Sequence, residues 1–181
     1  MALLIAWCSA GYGQVAPEVL REATAHDQKA REFLAKRDWK AAIAEFDQAL
    51  RLDRSRADTL IGLGIARWGG GDHAGAIQAF QQAVSLDPAS PDAHFNIGVA
   101  WKELGETAKA SEELKAALRI KPGHLAANLE YAMLLQESGQ LEQAVTEYQR
   151  VLKTNPNSAR SIIDTWTSRN PISPPVGNTP T

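Results

Sequence analysis

Histidines, cysteine, paired carboxylates and a glycine run are the residues in this chain whose types could carry chemistry. The four histidines are His26, His73, His94 and His124. A metal site needs several ligands converging on one point, and on a helix that means two histidines about one turn apart. His26 and His94 are 68 residues apart, at matching places in units two repeats removed, so they cannot share an ion. The single cysteine, Cys8, excludes an internal disulfide and any cysteine-based zinc site. Gly69-Gly70-Gly71 would suit a phosphate loop, but no strand precedes it and no Gly-Lys-Ser/Thr follows. It reads as a helix-turn-helix corner. No His-Glu-x-x-His, nucleophile elbow or dinucleotide fingerprint is present. Glu112-Glu113 reads as a solvated helix face, and Arg51, Arg54 and Arg56 as a solvated turn rather than a phosphate site. No catalytic residue, metal site or cofactor is expected, and the chain is read as a non-enzyme.

The elements that carry these residues are those of a globular chain. At 181 residues, with 44% hydrophobic and 22% charged side chains, the composition is that of a folded protein of about one domain. A net charge of −2 and a pI near 6.1 argue against a nucleic-acid binder, which needs a cationic surplus to displace counterions. Residues 1–16 stand apart. Ala2 to Trp7 is apolar, and small residues follow from Ser9 to Gly13, as at the end of a secretory signal peptide. No Lys or Arg precedes the run, and it is too short for an integral membrane span. Two readings stand: a signal segment with an exported or periplasmic product, or an ordinary apolar N-terminus on a cytoplasmic one.

The strongest pattern is a period. Gly98, Ala110, Ala117 and Pro122 repeat 34 residues earlier as Gly64, Ala76, Ala83 and Pro88. They recur 34 residues later as Ala132, Ala144, Val151 and Pro156. A further step back reaches Ala30, Ala42, Ala49 and Arg54. With Ile97, Trp101 and Leu114, these spacings resemble the tetratricopeptide repeat (TPR). The resemblance implies an all-α, right-handed α-solenoid of helix-turn-helix units with a C-terminal capping helix. The expected organisation is four units over residues 17–158, at about 23–56, 57–90, 91–124 and 125–158. A capping helix over 159–170 and a Pro-rich disordered tail over 171–181 would follow.

Local signals agree with helices. Pro17-Glu18 suits a first turn, Asp38 and Asp72 precede apolar-periodic runs as N-caps, and Ser90-Pro91 pairs a cap with a first-position proline. Ser55, with Asp58 three residues on, resembles a capping box. The first unit departs most from the family pattern: Lys29 replaces an apolar residue, Arg37 the turn glycine and Arg54 the closing proline. Such divergence fits a terminal repeat, one face of which meets water. Trp101 falls at the family's aromatic core position.

Family membership implies protein–protein interaction. Chaperone co-factors of this family clamp a terminal carboxylate with Lys, Arg and Asn. Here the corresponding positions hold Asp27, Arg31, Gly62, Asp92 and Asn96, so carboxylate-terminal peptides are not the expected ligand. The first helices instead carry an apolar ladder. Ile61, Phe95 and Leu129 recur at 34, as do Ile65, Val99 and Met133 one turn further on. These six side chains either pack helix against helix or form a concave groove for a partner peptide or helix, with Trp68 as aromatic anchor and Lys102 as polar rim. The function read from this pattern is an adaptor that binds another protein. The alternative is a homo-oligomeric assembly module using its end faces or groove.

Overall fold

A computed structural model of the chain describes residues 16–154 and Pro156. The N-terminal segment before Ala16, the capping helix expected over 159–170 and the tail over 171–181 lie outside the described residues. Within them are eight α-helices and no strand: α1 (Pro17–Ala35), α2 (Trp39–Leu52), α3 (Ala57–Gly69), α4 (His73–Leu86), α5 (Pro91–Glu103), α6 (Thr107–Ile120), α7 (Leu125–Glu137) and α8 (Leu141–Thr154). The chain forms two compact units, one up to Ile97 and one from Gly98.

Each odd-numbered helix stops at the same place for the same reason. The residue that turns the chain has positive φ: Arg37 at 58°, Gly71 at 88°, Gly105 at 78° and Gly139 at 77°. That left-handed residue lets the next N–H reach back to a carbonyl five residues earlier. Asp38 donates to Phe33 O at 2.9 Å, Asp72 to Arg67 O at 2.9 Å, Glu106 to Trp101 O at 2.9 Å and Gln140 to Leu135 O at 2.8 Å. Asp38 then caps α2 by accepting from the Ala41 N–H at 3.1 Å, and Asp72 caps α4 by accepting from the Gly75 N–H at 2.9 Å. Ser90 Oγ accepts from the Ala93 N–H at 3.3 Å, with Pro91 opening α5.

Ser55 behaves otherwise than its spacing suggests. Its N–H and hydroxyl both donate to Asp53 Oδ1, at 3.0 and 2.6 Å, and α3 starts without a side-chain cap. Asp53 is buried and sits between the two helices, so it captures the hydroxyl before the helix N-terminus can.

In the first unit α1 packs on α2, α2 on α3 and α3 on α4. Ala30, Ala42, Phe46, Leu63, Ala66 and Ala79 form a buried cluster, flanked by Phe33, Leu34, Ile43 and Leu50. Large rings lie directly over glycines. A Cβ on Gly62 would come within 2.5 Å of Phe46 Cζ, and one on Gly64 would collide with the Phe80 ring. In the second unit Gly98 lies under Leu114, where a Cβ would meet Cγ at 2.8 Å. Leu114, Tyr131, Leu134, Leu135, Tyr148 and Val151 are buried among Ala110, Ala117, Ala127, Ala132 and Ala144. Trp101 is only half-buried. The Lys109 ammonium lies 4.4 Å from the centroid of its ring, which is therefore an edge of the core rather than its centre.

Phe80 keeps 2% of its surface. Phe80→Ala is expected to cost about 3–5 kcal/mol, from lost burial plus the cavity left over Gly64. Chemical denaturation measures this, and a cost below about 1 kcal/mol would contradict the packing described. Arg37→Gly is expected to act in the opposite direction, raising stability by about 0.5–1 kcal/mol, because the left-handed conformation strains a side chain with a Cβ. An unchanged or lower urea midpoint would show that no such strain is released.

Candidate functional site

Three of the histidines hold the fold together. His26 Nδ1 lies 2.6 Å from Glu45 Oε2, tying α1 to α2. His73, the first residue of α4, meets the Trp68 ring at a tilt of 55° with ring centroids 4.2 Å apart. His124 is buried and caps α7, its Nδ1 accepting from the Ala127 N–H at 3.1 Å. Among the described residues no three His, Cys, Asp or Glu side chains are grouped to hold a metal ion, and no helix is long and apolar enough to cross a membrane.

The positions at which the family can hold a carboxylate are filled by an internal network. Asp27 is buried and accepts from Arg31 Nε at 2.7 Å and from the fully buried Thr59 hydroxyl at 2.7 Å. Arg56 Nε donates to Thr59 Oγ1 at 3.1 Å, and its NH1 donates to Thr24 Oγ1 at 3.2 Å. This chain of polar contacts joins α1 to α3. Sequence reasoning missed it, although Thr59 stands where the next two units carry Ala93 and Ala127. Gly62 is covered by Phe46, and Asn96 Nδ2 donates to Asp92 O at 2.7 Å. Asp27 places a carboxylate, already paired with Arg31, where a clamp would need a cation, so this position does not attract a terminal carboxylate.

The apolar ladder separates into two kinds of position. In the first unit Ile61 keeps 8% of its surface and belongs to the core, while Ile65 is exposed at 37%. The expectation that Ile61 lines a contact surface therefore fails for want of accessible area. Trp68 and Phe95 are half-buried, Trp68 with His73 against its ring. In the second unit Val99, Leu129 and Met133 are all half-buried. Lys102 is not a free cation. Its side chain is 15% exposed, with Nζ 2.9 Å from Glu130 Oε2 and 3.6 Å from Glu137 Oε1. The two acids stand seven residues apart on α7, two turns on one face, which is the sequence signal for this fork. Tyr148 packs nearby and donates to Gln136 Oε1 at 3.2 Å. Burial, helped by Glu137 and Glu130, pushes its pKa up to about 12, so the phenol stays neutral.

Family comparison bears directly on this arrangement. One tetratricopeptide-repeat model matches residues 28–91 and again 61–124, and a second matches 103–161. The chain belongs to the tetratricopeptide repeat family. Its fold is the all-α helical solenoid of that family. The crystal structure of MamA is similar at 23% identity, covering 79% of this chain and 86% of that one, with a TM-score of 0.69. YrrB, described as a TPR protein with an unusual peptide-binding site, is 23% identical, with 77% and 72% covered and a TM-score of 0.63. The first TPR of Spaghetti (RPAP3), bound to the HSP90 peptide SRMEEVD, is 18% identical, with 66% and 95% covered and a TM-score of 0.63. Comparison with curated proteins returns no match. Membership in the TPR family carries a generic role in protein–protein interaction.

One ion-pair cluster in this TPR chain gives its stability a pH dependence. Glu45 accepts from Lys29 at 2.5 Å as well as contacting His26. The Lys29 hydrogen bond first, and the His26 one second, hold its carboxyl below the ordinary value of 4.5. Asp53 is held low chiefly by the Ser55 hydroxyl. Each group binds a proton more weakly folded than unfolded. Their contribution is therefore complete above the unfolded pKa and is lost as pH falls through the folded one. Melting temperature should hold from neutrality to just above pH 4.5 and then drop, with Glu45→Gln flattening the drop. An identical acid limb in wild type and variant would contradict this assignment.

Proposed function

We propose that this protein is an interaction adaptor that holds a partner peptide or helix on the apolar face of its odd-numbered helices. The observation that carries the reading is the large apolar side chains left partly uncovered on these helices within each unit, Ile65 on α3 in the first and Val99 on α5 and Met133 on α7 in the second. A core with accessible depth elsewhere would cover such side chains, since leaving them in water costs about 25 cal/mol per Å². Phe95 and Leu129, one turn before Val99 and Met133, extend the surface on their own helices. Trp68 adds an aromatic edge in the first unit, and the Lys102–Glu130 pair a polar border in the second. Two of the structural neighbours are described with peptide ligands or peptide sites, which supports a peptide-like partner. The filled Asp27 position argues against the terminal-carboxylate mode, so the ligand would be read by its apolar side chains.

The test is the double substitution Phe95→Ser/Val99→Ser. Helicity by circular dichroism should be retained while recovery of the native partner falls about tenfold or more, as for truncation of central contact residues. Loss of helicity would make both residues structural and would move the binding surface elsewhere. Light scattering of wild type and variant separates the homo-oligomeric alternative: a dimer that dissociates on substitution favours self-assembly over an adaptor.

A further inference from the structure

A second surface lies in the first unit, on the side formed by the even-numbered helices. A cleft of about 440 Å³ opens between α2 and α4, with Leu50, Leu60 and Leu86 as its apolar lining and Asp47, Arg51 and Arg54 at its edge. Leu86 is 47% exposed, an uncovered apolar side chain beside two exposed arginines. Neither the Arg51 nor the Arg54 guanidinium makes an ion pair or hydrogen bond among the described residues.

The repeat pattern does not require this cleft. Arg54 stands where the later units carry Pro88, Pro122 and Pro156, and α2 ends at Leu52 without that proline. Leu60 stands where the next two units carry His94 and Asn128. One departure adds a cation, the other adds apolar floor, and both fall in the same cleft. Arg51, in the last turn of α2, complements the helix dipole, but that interaction leaves its guanidinium donors unused.

We propose that this cleft binds an acidic, leucine-rich segment of a partner protein, with the leucines against Leu50 and Leu86 and the carboxylates on Arg51 and Arg54. The volume suits a few aliphatic side chains rather than a whole helix. Two cations against one acid leave the edge locally positive on a chain whose net charge is −2, so an acidic segment is drawn to this place and not to the surface at large. The chain's own first fifteen residues contain no acid and do not match this chemistry.

The experiment uses the full chain and a short fluorescein-labelled peptide of leucine and glutamate, read by fluorescence anisotropy. Binding is expected, weakened by salt and weakened about tenfold or more by Arg51→Glu/Arg54→Glu. Both residues are exposed, so that variant should stay folded, its melting temperature lowered only slightly by the dipole interaction that Arg51 gives up. Phe95→Ser/Val99→Ser should bind this peptide as wild type does, which separates this site from the odd-helix face. Equal affinity for a leucine–lysine peptide, or no effect of the charge reversal, would overturn the proposal. So would binding to anionic vesicles with none to the peptide, or a self-association that the reversal abolishes.

Discussion

Close approach of a large side chain to a backbone without a Cβ is the contact on which the rest of this structure depends. Phe46 over Gly62, Phe80 over Gly64 and Leu114 over Gly98 are instances of it, and in each a single added carbon has no room. Because these side chains press directly against bare backbone, neighbouring helices come close enough for alanines such as Ala42, Ala76, Ala110 and Ala144 to be fully buried. Dispersion contacts and burial then accumulate over many small side chains instead of a few large ones. The left-handed corner residues allow this by reversing the chain within a few residues, so successive helices meet at once.

Polar side chains follow a different logic. Among the described residues the buried and half-buried ones are largely engaged: Asp27 with Arg31 and Thr59, Asp53 with Ser55, Lys102 with Glu130, His124 with the start of α7, while the buried Asn128 Oδ1 accepts no hydrogen bond. Burying such groups without partners would be costly, so the fold uses them as fasteners between and within helices. The residue types most suggestive of chemistry are thus largely occupied by structural work. What the described residues leave uncovered includes partly covered apolar side chains on the odd-numbered helices and exposed arginines beside a leucine-lined cleft. Both suit recognition of another protein, in keeping with a repeat family whose members act through their surfaces.

Periodicity made the helices, the corners and the buried small residues legible from sequence. A spacing of 34 between Gly64, Gly98 and Ala132 reports a backbone requirement that recurs with each unit. The caps Asp38, Asp72 and Ser90 were equally plain, because capping depends on residues only two or three apart. Ser55 was misread on the same basis. Its spacing to Asp58 is right for a box, yet the nearer Asp53 carboxylate took the hydroxyl.

Tertiary structure alone decided which members of a repeated set remain reachable. Ile61 and Ile65 lie one turn apart with the same chemistry, but one is buried and the other exposed, because accessibility depends on what neighbouring helices place above each side chain. Lys102 reads as a free rim cation until α7 brings Glu130 and Glu137 to it; their spacing of seven marks one face of α7 but does not say that Lys102, 28 residues from Glu130, packs against it. The Asp27–Thr59 bond spans 32 residues, and the Leu50, Leu60 and Leu86 cleft gathers three helices. Sequence determined the repeating backbone because its constraints act within a turn or a unit. The surfaces and polar fasteners arise from side chains distant along the chain, whose distances exist only once the helices have packed.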